Sequence, residues 1–248
     1  MKLALKGKTV LVTGSNRGIG KAFVEALIAR GASRIYAAAR QLSDAQALAS
    51  CAPEVVVAMQ LDITNASEIA SVAATITHLD ILINNAGVAQ GSGFSGEGSL
   101  EIARTEMATN YFGSLNLTHA LLPVLRASSA AAIVNISSIA GISNFPALGP
   151  YSASKAAVHS FIQGLRAELR NSNILVQGVY PGPVDTRMAE GASEKADPAE
   201  VVDCVLKGLE NGQEDIFPDV FSQAMYRAFC QNPKLLEQQF AQMSGLAG

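Results

Sequence analysis

TVLVTGSNRGIG, residues 9–20, decides the fold. Thr9 to Thr13 is an apolar, β-branched run in which Val10, Leu11 and Val12 follow one another without polar alternation, as in a strand buried on both faces. Gly14, Gly18 and Gly20 come next, and Ile19, Phe23, Val24, Leu27 and Ile28 then fall on one helical stripe. Strand, glycine turn and helix place bare backbone N–H groups and a positive helix end at one point, which suits a pyrophosphate. Glycines also close ordinary strand-to-helix connections, so the rest of the chain must decide between the two readings.

Working outward, strands and helices alternate, the pattern of a parallel sheet with helices on both faces. Arg34–Ala39 reads as a second strand ending at Arg40, and Val55–Leu61 as a third, followed by Asp62-Ile63-Thr64 and a helix to about Ile76. Asp80–Ile83 is a fourth strand running into Asn84-Asn85-Ala86-Gly87, and glycine- and serine-rich residues 89–99 read as a mobile loop. A long helix is expected from Leu100 to Ala127, carrying Asn110 and bent or restarted at Pro123. Ala130–Ile136 is a fifth strand, Tyr151–Arg170 a helix, and Ile174–Val179 a sixth strand closed by Pro181-Gly182-Pro183. Asp197-Pro198 opens another helix, aspartate as N-cap and proline at the first helical position, and Asp215–Pro218 reads as a short last strand. Residues 187–200 form a short loop region and 221–248 a helical tail suited to packing or subunit contact. Neither a repeat nor a composition break divides the chain, so residues 1–248 read as a single domain: a doubly wound parallel sheet in three α/β/α layers.

Composition narrows the function. The 248 residues are 49% hydrophobic and 16% charged, enough for a buried sheet and far from disorder. A net charge of −3 without a basic run argues against nucleic acid, and no stretch approaches the ~20 apolar residues of a membrane span. With no signal-like start, a cytoplasmic protein is expected. Cys51, Cys204 and Cys230 are scattered and read as buried thiols, and neither they nor His78, His119 and His159 have metal-ligand spacing; no metal is expected.

In such a sheet ligands lie beyond the carboxyl ends of the strands, where strand order reverses. A carboxylate after the second strand would accept hydrogen bonds from the ribose 2′-hydroxyl of NAD; here Arg40 takes that place and Arg17 lies in the glycine turn. Two guanidinium groups facing one 2′-phosphate point to NADP(H) in preference to NAD(H). The plain alternative is that Arg40 is a solvated strand end. Asp44, four residues later, is read as part of the following loop.

Tyr151 and Lys155 are four residues apart at the start of a helix, hence on one face. An ammonium beside a phenol favours phenolate and lowers its pKa, tuning it for proton transfer. Ser138 ends a strand and can donate to a carbonyl oxygen. Taken singly these are an ordinary helix pair and a turn residue.

Taken with TGSNRGIG (13–20), DIT (62–64), NNAG (84–87), Asn110, NISS (135–138), YSASK (151–155) and PGPVDT (181–186), in that order, the chain resembles the short-chain dehydrogenase/reductase family in its single-domain form. The resemblance implies a Rossmann-type fold and an NADPH-dependent carbonyl reductase acting on a ketone or aldehyde, with a small-molecule carbonyl or alcohol as partner. It implies Tyr151 as general acid in reduction, Lys155 lowering its pKa and holding the nicotinamide ribose, Ser138 steadying the substrate oxygen, and Asn110 placing a relay water. Gly14, Ser15, Asn16, Arg17, Gly18, Ile19 and Gly20 would cradle the phosphates. Leu61, Asp62 and Ile63 would meet adenine, and Asn85, Ala86 and Gly87 the adenosine ribose. Pro181, Gly182, Val184 and Thr186 would border the nicotinamide. Other readings are an alcohol dehydrogenase working oxidatively, a non-catalytic NADP(H)-binding sensor and a look-alike dehalogenase. The last would replace the lysine by arginine and spoil the glycine turn.

Two features depart from the family pattern: residues 187–196 are short for a substrate lid, and the C-terminus is helical. A homodimer or homotetramer is expected, built on the helices around 100–127 and 151–170. Ile139, Asn144, Phe145, Pro183 and Met188 are candidates to line an apolar pocket, with Arg104 and Arg187 near its mouth.

Overall fold

The computed structural model describes residues 2–192 and 194–245. Strands β1 (Thr9–Thr13), β2 (Arg34–Ala39), β3 (Val56–Gln60), β4 (Ile81–Asn84), β5 (Ala131–Ile136), β6 (Ile174–Val179) and β7 (Asp215–Ile216) pair in parallel in the order β3-β2-β1-β4-β5-β6-β7. Around them lie α1 (Gly18–Ala29), α2 (Leu42–Ala49), α3 (Ala66–Thr75), α4 (Ser99–Glu106), α5 (Ser114–Ala127), α6 (Gly149–Leu169), α7 (Pro198–Asn211), α8 (Val220–Gln231) and α9 (Pro233–Met243). Strand order reverses between β1 and β4, which opens a crevice beyond their carboxyl ends.

The alternation of side chains along β1 sorts the core into two layers. Val10 and Val12 pack with Phe23 and Leu27 of α1 and Val202, Val205 and Leu206 of α7. Leu11 faces the other way, toward Leu117 and Leu121 of α5 and Val158 and Ile162 of α6. Both faces of the sheet are therefore covered, as the apolar runs in its strands require. None of the described helices is long and apolar enough to cross a membrane.

Three expectations need correction. Asp44 lies not in a loop but in the first turn of α2, a short helix whose mixed composition hides its period. The long helical stretch is interrupted at Met107–Gly113, which form a π-helical segment, and not at Pro123, which lies inside α5. Leu117, Leu121 and Leu125 bury α5 on both sides of that proline and keep it continuous. Cys51 and Cys230 are exposed and Cys204 half-buried, rather than buried thiols, because each falls on the outer part of its helix or turn.

The tail folds as α8 and α9, separated at Asn232, whose side chain caps α9 ahead of Pro233. Leu236 and Phe240 bury against Ile139, with Phe145, Phe217 and Phe221 around them. In the 187–200 region Arg187–Ala189 form a single 3-10 turn, Val184 bridges to Ala196, and α7 begins at Pro198 with Asp197 as its cap.

Candidate active site

The glycine turn is shaped by close approach. Gly14 and Gly18 have φ of +61° and +52°, where a side chain is strained. A Cβ on Gly20 would lie 2.1 Å from the carbonyl oxygen of Gly14, so α1 starts hard against the end of β1. Ser15 is buried and donates to Ala38 O at 3.1 Å. Asn16 donates to Asp44 Oδ2 at 2.9 Å, tying the turn to α2. Arg17 precedes α1 without a side-chain cap, leaving the amides of the first turn free of one. Arg17 and Arg40 are both exposed at this end of the sheet, and among the described residues neither pairs with a carboxylate.

The NNAG segment is pinned to the turn through Thr13, whose hydroxyl accepts from the amides of Asn85 and Ala86, each at 3.0 Å. Asn85 Nδ2 donates to Thr13 O at 2.8 Å and Gly14 O at 3.2 Å. That side chain therefore joins β4 to β1. A Cβ on Gly14 would come within 3.0 Å of Ala86 Cα, and one on Gly18 within 2.7 Å of Thr186 Cγ2. Two separate segments, NNAG and PGPVDT, thus converge on the turn. Leu61 and Ile63 are buried, while Asp62 Oδ1 accepts from the Thr64 amide and hydroxyl at 2.9 and 2.7 Å.

Ser138, Tyr151 and Lys155 are all buried and come from neighbouring elements, the end of β5 and the first turns of α6. A Cβ on Gly141 would lie 2.7 Å from the carbonyl carbon of Lys155, so glycine there lets α6 press against the NISS segment. Lys155 Nζ donates to Ile136 O at 2.8 Å and stands 5.6 Å from the Tyr151 ring centroid. A Cβ on Gly87 would lie 3.6 Å from that Nζ and 3.0 Å from Asn110 Oδ1, which brings β4's motif to the same place. Asn110 belongs to the π-helical segment, a form of backbone often found at functional sites. Its Oδ1 accepts from Val88 N at 2.8 Å, and its Nδ2 donates to Val88 O at 2.9 Å and Ser154 Oγ at 2.8 Å.

The electrostatics differ from the expectation of a depressed phenol. Burial pushes Tyr151 up to about 12, against a hydrogen bond from Ser138 that favours phenolate, and the charge of Glu106 adds to the rise. Burial pushes Lys155 down to about 8. The lysine's nearest polar partner is the Ile136 carbonyl rather than the phenolic oxygen, so desolvation dominates. Burial thus favours the uncharged form of both groups.

The PGPVDT segment closes the crevice. Pro181 O accepts from Ile139 N at 3.0 Å and Ser138 Oγ at 3.4 Å, and Gly182 N donates to Asp219 Oδ2 at 2.8 Å. Of the pocket candidates, Phe145 meets Phe240 edge-on at 5.4 Å, Asn144 donates to Gly149 O, and Met188 is largely exposed. Arg104 is exposed and paired with Glu101 on its own helix. Sequence reasoning missed Thr13, Glu106, Ser154 and Asp219. Asp219 had a legible signal, an aspartate followed three residues later by Ser222, whose side chains complete a reciprocal cap on α8.

A glycine cradle that any Cβ would fill, an uncapped helix start, two exposed guanidinium groups and a buried Tyr-Lys-Ser set fit a phosphorylated dinucleotide and a carbonyl or alcohol beside it. The family model for short chain dehydrogenase matches residues 8–197. The NADP-dependent 3-hydroxy acid dehydrogenase of Schizosaccharomyces pombe is 30% identical over 239 residues, 87% of this chain and 92% of that protein. A short chain dehydrogenase from Burkholderia cenocepacia, solved in complex with NADP, superposes with a TM-score of 0.90 at 34% identity, covering 96% of this chain and 99% of that one. A short-chain dehydrogenase from Sphingobium yanoikuyae in complex with NADPH gives 0.81 at 30% identity, over 92% and 93% of the two chains. The chain belongs to the short-chain dehydrogenase/reductase family, and is an oxidoreductase dependent on a nicotinamide coenzyme.

Proposed function

We propose that the protein is an NADPH-dependent carbonyl reductase that converts a ketone or aldehyde to the alcohol. The observation that carries this reading is the buried convergence of the Tyr151 phenol, the Ser138 hydroxyl and the Lys155 amine at the carboxyl end of the sheet. Ser138 and Tyr151 would donate to the substrate oxygen as it gains charge, and Tyr151 would then release its proton to it. Lys155 would hold the ribose hydroxyls. Asn110, its side chain already engaged with Val88 and Ser154, would act by fixing loop and helix, leaving any water to its backbone. When bound, the coenzyme supplies the hydride. Arg17 and Arg40 support the 2′-phosphorylated form, in keeping with the relatives solved with NADP and NADPH.

The proposed assembly is a homodimer, with Leu100 of α4 and Phe112 of the π-helical segment exposed on the helices expected to meet a partner. Gel filtration at micromolar concentration tests it, and elution at monomer mass counts against it. The activity is tested by following NADPH absorbance with a panel of ketones and aldehydes, NADH in parallel. Turnover preferring NADPH supports the reading, and none with either coenzyme contradicts it.

A further inference from the structure

The glycine turn is tied to the end of β2 and to the start of α2. Ser15 donates to Ala38 O from its amide, at 3.0 Å, and from its hydroxyl, at 3.1 Å. Asn16 Nδ2 donates to Oδ2 of Asp44, in the first turn of α2, at 2.9 Å. Arg17 follows Asn16 in the chain and Arg40 stands two residues beyond Ala38, so both exposed guanidinium groups spring from residues beside these ties. With α-carbons ~3.8 Å apart along a chain, the Asp44 carboxylate stands within a side chain's length of the place assigned to the 2′-phosphate. An acid in the first turn of a helix is favourable on its own account, through the helix dipole. That role does not need the bond to Asn16, which draws the carboxylate onto the glycine turn.

We propose that Asp44 is a specificity-determining residue of the coenzyme site, a fixed negative charge that holds the preference for the 2′-phosphorylated coenzyme below what Arg17 and Arg40 alone would give. The inference rests on those two arginines receiving the 2′-phosphate, as proposed above. A guanidinium pairs with a phosphate; a carboxylate repels it and accepts from a ribose 2′-hydroxyl instead. Both kinds of group meet at this end of the sheet. Asn16 holds the carboxylate on the turn side of α2 rather than free in solvent. Asp44 is exposed, so its charge acts partly through water, and its effect is modest and sensitive to salt.

The test compares wild type with Asp44→Asn, whose amide oxygen still accepts from Asn16 but carries no charge. Fluorescence titration with NADPH and NADH reads binding without turnover. Calorimetric titration with adenosine 2′,5′-bisphosphate and adenosine 5′-monophosphate isolates the 2′-phosphate. In dilute buffer D44N should bind NADPH and the bisphosphate about threefold more tightly, with NADH and the monophosphate bound no better than by wild type. The two proteins should converge in about 1 M salt, where the screening length is ~3 Å. Asp44→Glu, which keeps the charge, should leave the ratio of NADPH to NADH affinity near that of wild type. A ratio unmoved by D44N, or moved equally at low and high salt, overturns the inference and leaves Asp44 a helix-start residue. So does a ratio that D44E shifts as far as D44N. Arg40→Asp weakening both coenzymes alike would instead overturn the reading beneath it.

Discussion

The backbone amide of Gly182 donates to Oδ2 of Asp219 at 2.8 Å, and the other oxygen of the same carboxylate caps α8 through Ser222 N at 2.7 Å. One buried aspartate thus joins the Pro181-Gly182-Pro183 turn to the C-terminal helices. Phe221 lies against the same glycine, where a Cβ would meet its ring at 2.7 Å. Removing the carboxylate takes away a helix cap and a charge-assisted bond together, each worth about 1–2 kcal/mol. Asp219→Ala should therefore lower the melting temperature by about 5 °C and raise the dissociation constant for coenzyme, with Asp219→Asn partly restoring both. Calorimetry and fluorescence titration read the two effects, and unchanged coenzyme binding would make the tail a separate packing unit.

At the opposite end of the sheet, Asp80 accepts from Ser128 Oγ at 2.6 Å, Thr9 N at 2.9 Å and Lys8 Nζ at 3.1 Å. Burial pushes its carboxyl up, but these partners outweigh it and hold it below the ordinary carboxylate value. A lowered folded-state pKa adds stability above the unfolded value, near ~3.9, that is lost as pH falls through the folded one. Asp80→Asn should destabilise by roughly 2–3 kcal/mol at neutral pH, and the deficit should shrink below about pH 4. Urea unfolding across pH measures it, and a deficit independent of pH would contradict the assignment.

Two glycines separate close approach from open space. Gly20→Ala forces a Cβ to within 2.1 Å of Gly14 O and should cost more than about 3 kcal/mol or prevent folding. Gly164 lies on the exposed side of α6 with nothing within 4 Å of an added Cβ, so Gly164→Ala should stabilise by about 0.5–1 kcal/mol. Thermal melts of the pair suffice, and equal effects would refute the packing described for the turn.

On the proposed reading, Arg40 sets the coenzyme preference by pairing with the 2′-phosphate. Arg40→Asp should weaken NADPH about ten- to a hundredfold, the loss of one charge-assisted phosphate contact, and leave NADH nearly unchanged. Equal loss for both coenzymes would reduce Arg40 to a solvated strand end.

Much of this was legible in the chain. The bounds of β1, β2 and β6, the Asp197-Pro198 start of α7 and the break at Asn232-Pro233 follow from strong local signals: continuous apolar runs, caps and proline. What escaped reading depends on tertiary placement. The π-helical segment leaves no mark on a 3.6-residue period, and α2 is too short to show one. Glu106 looks like a solvated residue on a polar helix until the loop at Gln90 folds over it. The direction of the Tyr151 shift is set by burial, which spacing from Lys155 does not reveal. The meeting of Ser138, Tyr151 and Lys155 in one cleft, by contrast, follows from motif order on a parallel sheet, whereas Gly87, expected at the adenosine ribose, lies against Asn110 and Lys155.

The central claim is that the Tyr151 phenol supplies the proton. The most direct measurement is single-turnover carbonyl reduction by Tyr151→Phe with coenzyme binding titrated in the same preparation. The account predicts NADPH affinity within about twofold of wild type, roughly 0.4 kcal/mol, and a rate lower by about 10²–10⁴, the usual worth of a general acid. Near-normal turnover with coenzyme bound would contradict it.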